Sequence, residues 1–131
     1  MVVFIILSCG FIFGWDLFWF FMGVRPLFPW QLRQKTGAER AAFLLIDVRT
    51  QAEYNLFHID GVRHVPDAML KPVLPDGCNP ETPVIVICMT GHRSPVVAWS
   101  LKKQGVRQVY NLTWGMLGWK LWGGATRSSR K

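Results

Sequence analysis

Cys88 is preceded by Val84-Ile85-Val86-Ile87 and followed by Met89, Thr90, Gly91, His92, Arg93 and then Ser94-Pro95. Four apolar β-formers run into a thiol and a short loop. Ser94 and Pro95 then supply residues favoured at a helix N-cap and first helical position, so the stretch reads as strand, tight loop and helix. Such a junction aims several backbone N–H groups and the positive end of a helix at one point. The group held there is a thiol, and with the Arg93 guanidinium nearby these surroundings favour the thiolate. A cysteine that only closes a buried strand acts as a small hydrophobe. That bland role needs neither Gly91 nor two basic side chains nor a serine-proline pair. Cys88 therefore reads as a nucleophile, Met89 to Arg93 as the loop that holds its substrate, and Ser94 as the helix cap behind them.

The order Cys88-x-x-Gly91-x-Arg93-Ser94 resembles the active-site loop of the rhodanese (thiosulfate sulfurtransferase-like) family. Leu45-Ile46-Asp47-Val48-Arg49, with Glu53, Tyr54 and His58-Ile59-Asp60-Gly61-Val62, is similar to another of its signatures. Asn111-Leu112-Thr113-Trp114-Gly115-Met116 with Trp119 is similar to its terminal glycine-rich turn and helix. The resemblance covers residues 29–124. It implies that a sulfane sulfur passes from thiosulfate or a persulfide donor onto Cys88, and then to a thiol or cyanide. The intermediate would be a covalent persulfide, with no separate cofactor. The family pattern usually has glycine where Phe57 stands, proline at Asp60, and the first of two glycines at Trp114.

Arg93 and His92 offer positive potential to an anionic donor, and Arg93 could instead face inward and brace the loop. His92 has a plain alternative as an exposed loop residue. Asp47, Arg49, Glu53 and His58 read better as structural support than as a catalytic cluster, with Arg49 and Glu53 spaced i,i+4 for an ion pair. Neither the thiols nor the histidines are spaced as metal ligands, so no metal is expected. A cysteine phosphatase or arsenate reductase would also use a Cys–loop–Arg cradle. A tetrahedral oxyanion, however, needs a longer loop than the four residues between Cys88 and Arg93. The rival from a different class is a membrane-tethered relay or binding module with little turnover on small donors.

These side chains need a scaffold, and strands alternating with helices predict a small parallel-sheet α/β domain with helices on both faces. Residues 29–36 read as a short helix stopped by Gly37, and Phe43 to Val48 as a buried strand. Thr50 caps a short helix through a capping box with Glu53. Arg63 to Pro66 make a short strand, followed by a helical turn with Met69 and Leu70 and a loop from Lys71 to Pro83. Strand 84–87 leads into a helix from Pro95 to Gln104, stopped by Gly105. A strand over Val106 to Tyr110 and a helix over Thr113 to Trp122 complete the domain.

Ahead of it, Val2 to Val24 is apolar with one charge, Asp16. It is long enough for a bilayer, which needs about 20 residues. Residues 1–24 therefore read as a transmembrane helix, 25–28 as a short linker, 29–124 as the domain and 125–131 as a basic flexible tail. A cleaved signal or an interfacial helix are the alternatives. Asp16 is costly mid-span and is either tolerated near a water defect or paired across a helix–helix contact. That contact offers a route to a homo-oligomer. Arg25, Arg33, Lys35 and Arg40 after the run place the domain on the cytoplasmic side. The chain's formal net charge of +7 accompanies no nucleic-acid recognition motif, so anionic lipid or an anionic substrate accounts for it better. Three cysteines in unlike settings form no disulfide framework.

Overall fold

A computed structural model describes residues 1–35, 37–66, 74 and 77–128. The helical turn expected at Met69 and Leu70, most of the loop that begins at Lys71, and the end of the basic tail lie outside the described residues. The element order is α1 (Val2–Phe21), β1 (Val24–Leu27), α2 (Pro29–Gln34), α3 (Gly37–Ala41), β2 (Leu44–Asp47), α4 (Gln51–Leu56), β3 (Arg63–His64), β4 (Val84–Ile87), α5 (Ser94–Lys103), β5 (Val109–Leu112) and α6 (Gly115–Leu121). The five strands pair in the order β1-β5-β4-β2-β3, all parallel.

β4 is the central strand, and its four residues are all buried. Successive side chains point to opposite faces of a sheet, so Val84, Val86 and Cys88 face one core and Ile85 and Ile87 the other. The first core adds Val97, Ala98 and Leu101 of α5 and Trp19 of α1. The second adds Leu32 of α2 with Met116 and Trp119 of α6. Burial on both faces explains why the central strand is an unbroken apolar run rather than an alternating one. The expected parallel α/β architecture is what the chain adopts.

Several boundaries differ from the sequence expectation, each for a local reason. Residues 25–28, expected as a linker, instead hold most of β1, which pairs with β5 from Val24↔Val109 to Leu27↔Leu112. An edge position tolerates Pro26, which has no N–H to donate. Gly37 opens α3 rather than stopping a helix over 29–36, and α2 ends at Gln34. The last strand starts at Val109, not Val106. Gly105, at φ +110°, turns the chain so that the Val106 amide bonds back to the Leu101 carbonyl at 3.2 Å.

α1 is long and apolar enough to cross a membrane, and its second half rests on the domain. Trp19 is buried, with its ring 6.1 Å from that of Trp99 on α5. Phe11 stacks on His92 at 6.1 Å, and Trp15 lies at the same distance from that ring. Val2 to Leu7 are exposed beyond this contact.

Candidate active site

Cys88 follows the last residue of β4 and is fully buried. Its sulfur accepts hydrogen bonds from the Gly91 amide at 3.0 Å and the Ser94 hydroxyl at 3.4 Å. The loop folds back on its own cysteine because Gly91 takes φ +84°. A Cβ there would meet the Trp114 amide nitrogen at 2.8 Å and the Leu112 carbonyl at 3.1 Å. Glycine is therefore demanded twice at this position, by backbone angle and by space.

Ser94 does not cap α5. The N-cap position is Arg93, without a side-chain cap bond, and Ser94 is the first helical residue. Its hydroxyl turns inward instead, between the Cys88 sulfur and the Asn111 side-chain oxygen on β5. The Asn111 amide donates to the Gly91 carbonyl at 3.0 Å. One buried side chain thus ties the serine and the loop turn to the sheet. Proline as the second residue of α5 leaves an inward-facing serine with no capping competitor, and this role was not readable from Ser94-Pro95 alone.

Arg93 forms an ion pair with Glu53 of α4 at 2.8 Å, with the Arg93 side chain 40% exposed. It also faces the Cys88 sulfur. Through Glu53 this side chain ties the loop to α4. Burial alone would raise the Glu53 carboxyl. The hydrogen bond and charge of Arg93, helped by Thr50, outweigh burial and hold it below its usual range. The Glu53 bond in turn raises Arg93 further, against the effect of burial.

The expected Arg49–Glu53 side-chain pair is replaced by a closer one. Arg49 is fully buried against Asp47 at 2.8 Å. Its remaining donors reach the Phe57 carbonyl at 2.6 Å and the Glu53 carbonyl at 3.2 Å. Arg49 therefore fastens α4 to the end of β2, which leaves the Glu53 carboxylate free to reach Arg93. Thr50 accepts from the Glu53 amide at 3.3 Å, as a cap should, and its hydroxyl donates to the Glu53 carboxylate at 3.1 Å. His58 is buried, bonds the Tyr54 carbonyl at 2.9 Å and stacks on the Tyr54 ring at 3.8 Å. It takes no part in the cysteine cradle.

The loop is closed from beneath by α6. The Met116 and Leu117 amides donate to the Cys88 and Met89 carbonyls at 2.9 and 3.0 Å. Gly115 permits this approach, since a Cβ on it would collide with both carbonyls. Just before it, Trp114 holds left-handed backbone at φ 65°, at a cost of about 1–2 kcal/mol for a residue with a Cβ. Thr90 is exposed at the loop tip, and its hydroxyl meets His92 Nδ1 at 3.0 Å. Asp16 of α1 is half-buried, reaches the Asn111 side chain and stands in the field of His92. Sequence reasoning missed Asn111 as the partner of Ser94 and Gly91, and Asp16 as a neighbour of Asn111. A polar residue inside an apolar strand was the one available hint for Asn111.

Residues 29–121 match the family model described as Rhodanese-like domain. The chain is 34% identical over 97 residues to the thiosulfate sulfurtransferase GlpE of Coxiella burnetii, across 74% of this chain and 85% of that protein. It is 34% identical over 87 residues to YrkF of Bacillus subtilis (strain 168), provisionally named a sulfur carrier protein. That match takes in 66% of this chain but only 46% of YrkF. The chain spans 65% of a second B. subtilis protein, the uncharacterized YqhL. Among solved structures, the rhodanese-like domain of Anabaena Alr3790 superposes with a TM-score of 0.68 at 22% identity, covering 79% and 78% of the two chains. The thiosulfate sulfurtransferase of Pseudomonas aeruginosa gives 0.67 at 26% identity, over 90% of this chain and 23% of that one.

Proposed function

The chain belongs to the rhodanese-like family, and from that premise we propose that it is a sulfurtransferase working through a persulfide on Cys88. The observation that carries this reading is the cradle of the sulfur. A buried thiol accepts bonds from the Gly91 amide and the Ser94 hydroxyl and faces the Arg93 guanidinium. Donors preset around a sulfur stabilise negative charge without reorganising, the logic by which oxyanions are stabilised.

In the first half-reaction the Cys88 thiolate attacks the outer sulfur of thiosulfate or of a persulfide donor. The donor's sulfur–sulfur bond breaks, and sulfite or a thiolate leaves with the electron pair. Arg93 supplies positive potential to the anionic donor and to the leaving group. In the second half, cyanide or a thiolate takes the outer sulfur and the Cys88 electron pair is restored. No outside oxidant or reductant enters. A relay role, with Cys88 loaded by another protein's persulfide, uses the same chemistry and is favoured by the likeness to YrkF.

We assign to α1 the anchoring of this domain to a membrane as a single span, with the domain on the cytoplasmic side. The support is the apolarity of Val2–Phe21 and the basic residues that follow it. Asp16 on α1 would also give two such helices a polar contact for self-association.

The test is formation of thiocyanate from thiosulfate and cyanide by the full chain in phospholipid nanodiscs. Wild type is expected to turn over and Cys88→Ser to be inactive. Turnover surviving in Cys88→Ser would remove the cysteine from the mechanism. A wild type inactive with thiosulfate yet loaded by a persulfide donor would select the relay.

A further inference from the structure

Ser94 has one hydroxyl proton and two acceptors within its reach, the Cys88 sulfur at 3.4 Å and the Asn111 side-chain oxygen. Cys88, Ser94 and Asn111 are exposed by 0%, 0% and 2%, so bulk solvent cannot serve whichever acceptor goes without. The Asn111 amide cannot turn over to end the competition. Its nitrogen donates to the Gly91 carbonyl at 3.0 Å, and a carbonyl only accepts. A flip would set two oxygens against each other there, so the Asn111 oxygen is fixed toward the hydroxyl. None of these groups belongs to α1, and the arrangement does not depend on that helix staying docked.

The sulfur's demand for the proton changes through the reaction. A thiol carries its own proton and is a weak acceptor, whereas a thiolate accepts strongly. In a persulfide the charge sits on the outer sulfur, and Sγ is again uncharged. The charged and titratable groups around the trio are Arg93 facing the sulfur, Glu53 of α4 paired to it, His92 in the loop and Asp16 of α1 against Asn111. They are the same whichever way the hydroxyl points.

We propose that Asn111 is a positioning residue that competes with Cys88 for the Ser94 proton, holding it while the sulfur is a thiol or a persulfide and yielding it when the thiolate forms. This rests on the persulfide reading of Cys88. On loading, Sγ bonds to the outer sulfur of thiosulfate, the donor's sulfur–sulfur bond breaks, sulfite leaves with the electron pair, and the hydroxyl turns to Asn111. On unloading, cyanide bonds to the outer sulfur, the Sγ–S bond breaks, its electron pair returns to Sγ, and the hydroxyl turns back. Ser94 keeps its proton throughout. Yielding leaves the buried Asn111 oxygen unpaired, which raises the bare thiolate relative to the loaded protein.

The test follows ionisation of Cys88 in the full chain in phospholipid nanodiscs, by the ultraviolet band of its thiolate with Cys88→Ser as the baseline. Asn111→Leu removes the competing oxygen at nearly the same volume. It should lower the pH midpoint of that band by about one pH unit, an ionisation about tenfold easier. The same substitution made on Ser94→Ala should leave the midpoint in place. A change acting through the Gly91 bond would instead appear in both backgrounds. In the wild type, the side-chain amide NMR signals of Asn111 should move with the midpoint and return once thiosulfate has loaded the cysteine. The proposal is overturned by a midpoint unmoved in Asn111→Leu, by one lowered equally with and without Ser94, or by amide signals that ignore the ionisation. Should Asn111→Leu not fold, the wild-type signals decide. A folded wild type whose Cys88 ionises with Asn111 following it, but which never gains sulfur, would bring down the persulfide reading instead.

Discussion

Arg49 and Arg93 are both loop-proximal arginines, and their partners separate their tasks. Arg49 lies with Asp47 at zero exposure, so Arg49→Ala leaves a buried carboxylate without its counter-ion. A loss of about 3–5 kcal/mol is expected, read as a lowered urea midpoint. An unchanged midpoint with lost sulfur transfer would move Arg49 into the chemistry. The Arg93–Glu53 pair is partly exposed, and what it contributes depends on pH. Glu53 titrates below the ordinary glutamate value of 4.5 when folded. Its stabilising effect is therefore complete above the unfolded value and lost as pH falls through the folded one. Glu53→Gln should flatten the acid limb of stability below about pH 4.5 relative to wild type, as thermal melts across pH would show. A parallel acid limb in both proteins would contradict the pairing. The residue types of this site were legible, but their partners were less so. Spacing offered Glu53 to Arg49 at i,i+4, whereas a nearer carboxylate two residues back took the buried arginine. Ser94 looked like a cap because it precedes proline; only the sheet, by placing Asn111 opposite, shows why the hydroxyl turns inward.

The elements that bear on the cysteine were mostly visible as periodicity. Val84 to Ile87 is continuous because both its faces are covered, and α5 showed its buried side through Val97, Ala98 and Leu101. β1 was hidden because Val24 merges with the preceding apolar run, while Arg25 and Pro26 look like a linker. Its strand character is supplied by β5, at long sequence separation. The start of α6 was hidden for another reason. Trp114 adopts a backbone that its side chain disfavours, so no propensity argument places a helix boundary there. The closeness of α6 to the cysteine loop gives a prediction at this level. Gly115→Ala pushes a methyl into the Cys88 and Met89 carbonyls, and overpacking of this kind costs about 1–3 kcal/mol. The melting temperature should fall and thiocyanate formation should drop with it, since the loop moves with its support. An alanine variant with wild-type melting and turnover would show that α6 does not fix the loop.

At the scale of the whole molecule, α1 is the element whose two assignments compete. Its 20 residues make about 30 Å of helix, one hydrocarbon thickness. Its second half lies against His92, Trp99 and β1. A full crossing requires that half to leave the domain, which would expose Trp19 and free His92 and Asn111. A spanning α1 should resist carbonate extraction and keep the domain protected from protease added to sealed spheroplasts of an expression host. Carbonate release or digestion from outside would contradict the proposed topology. The sulfur chemistry is independent of that outcome and is tested most directly by intact mass. After incubation with thiosulfate, the wild-type chain should gain one sulfur, about 32 Da, mapping to the peptide containing Cys88 and removed by cyanide. Cys88→Ser should gain nothing. A folded wild type that acquires no sulfur from thiosulfate or from any thiol persulfide, or one that acquires it on Cys9 or Cys78, would contradict the account.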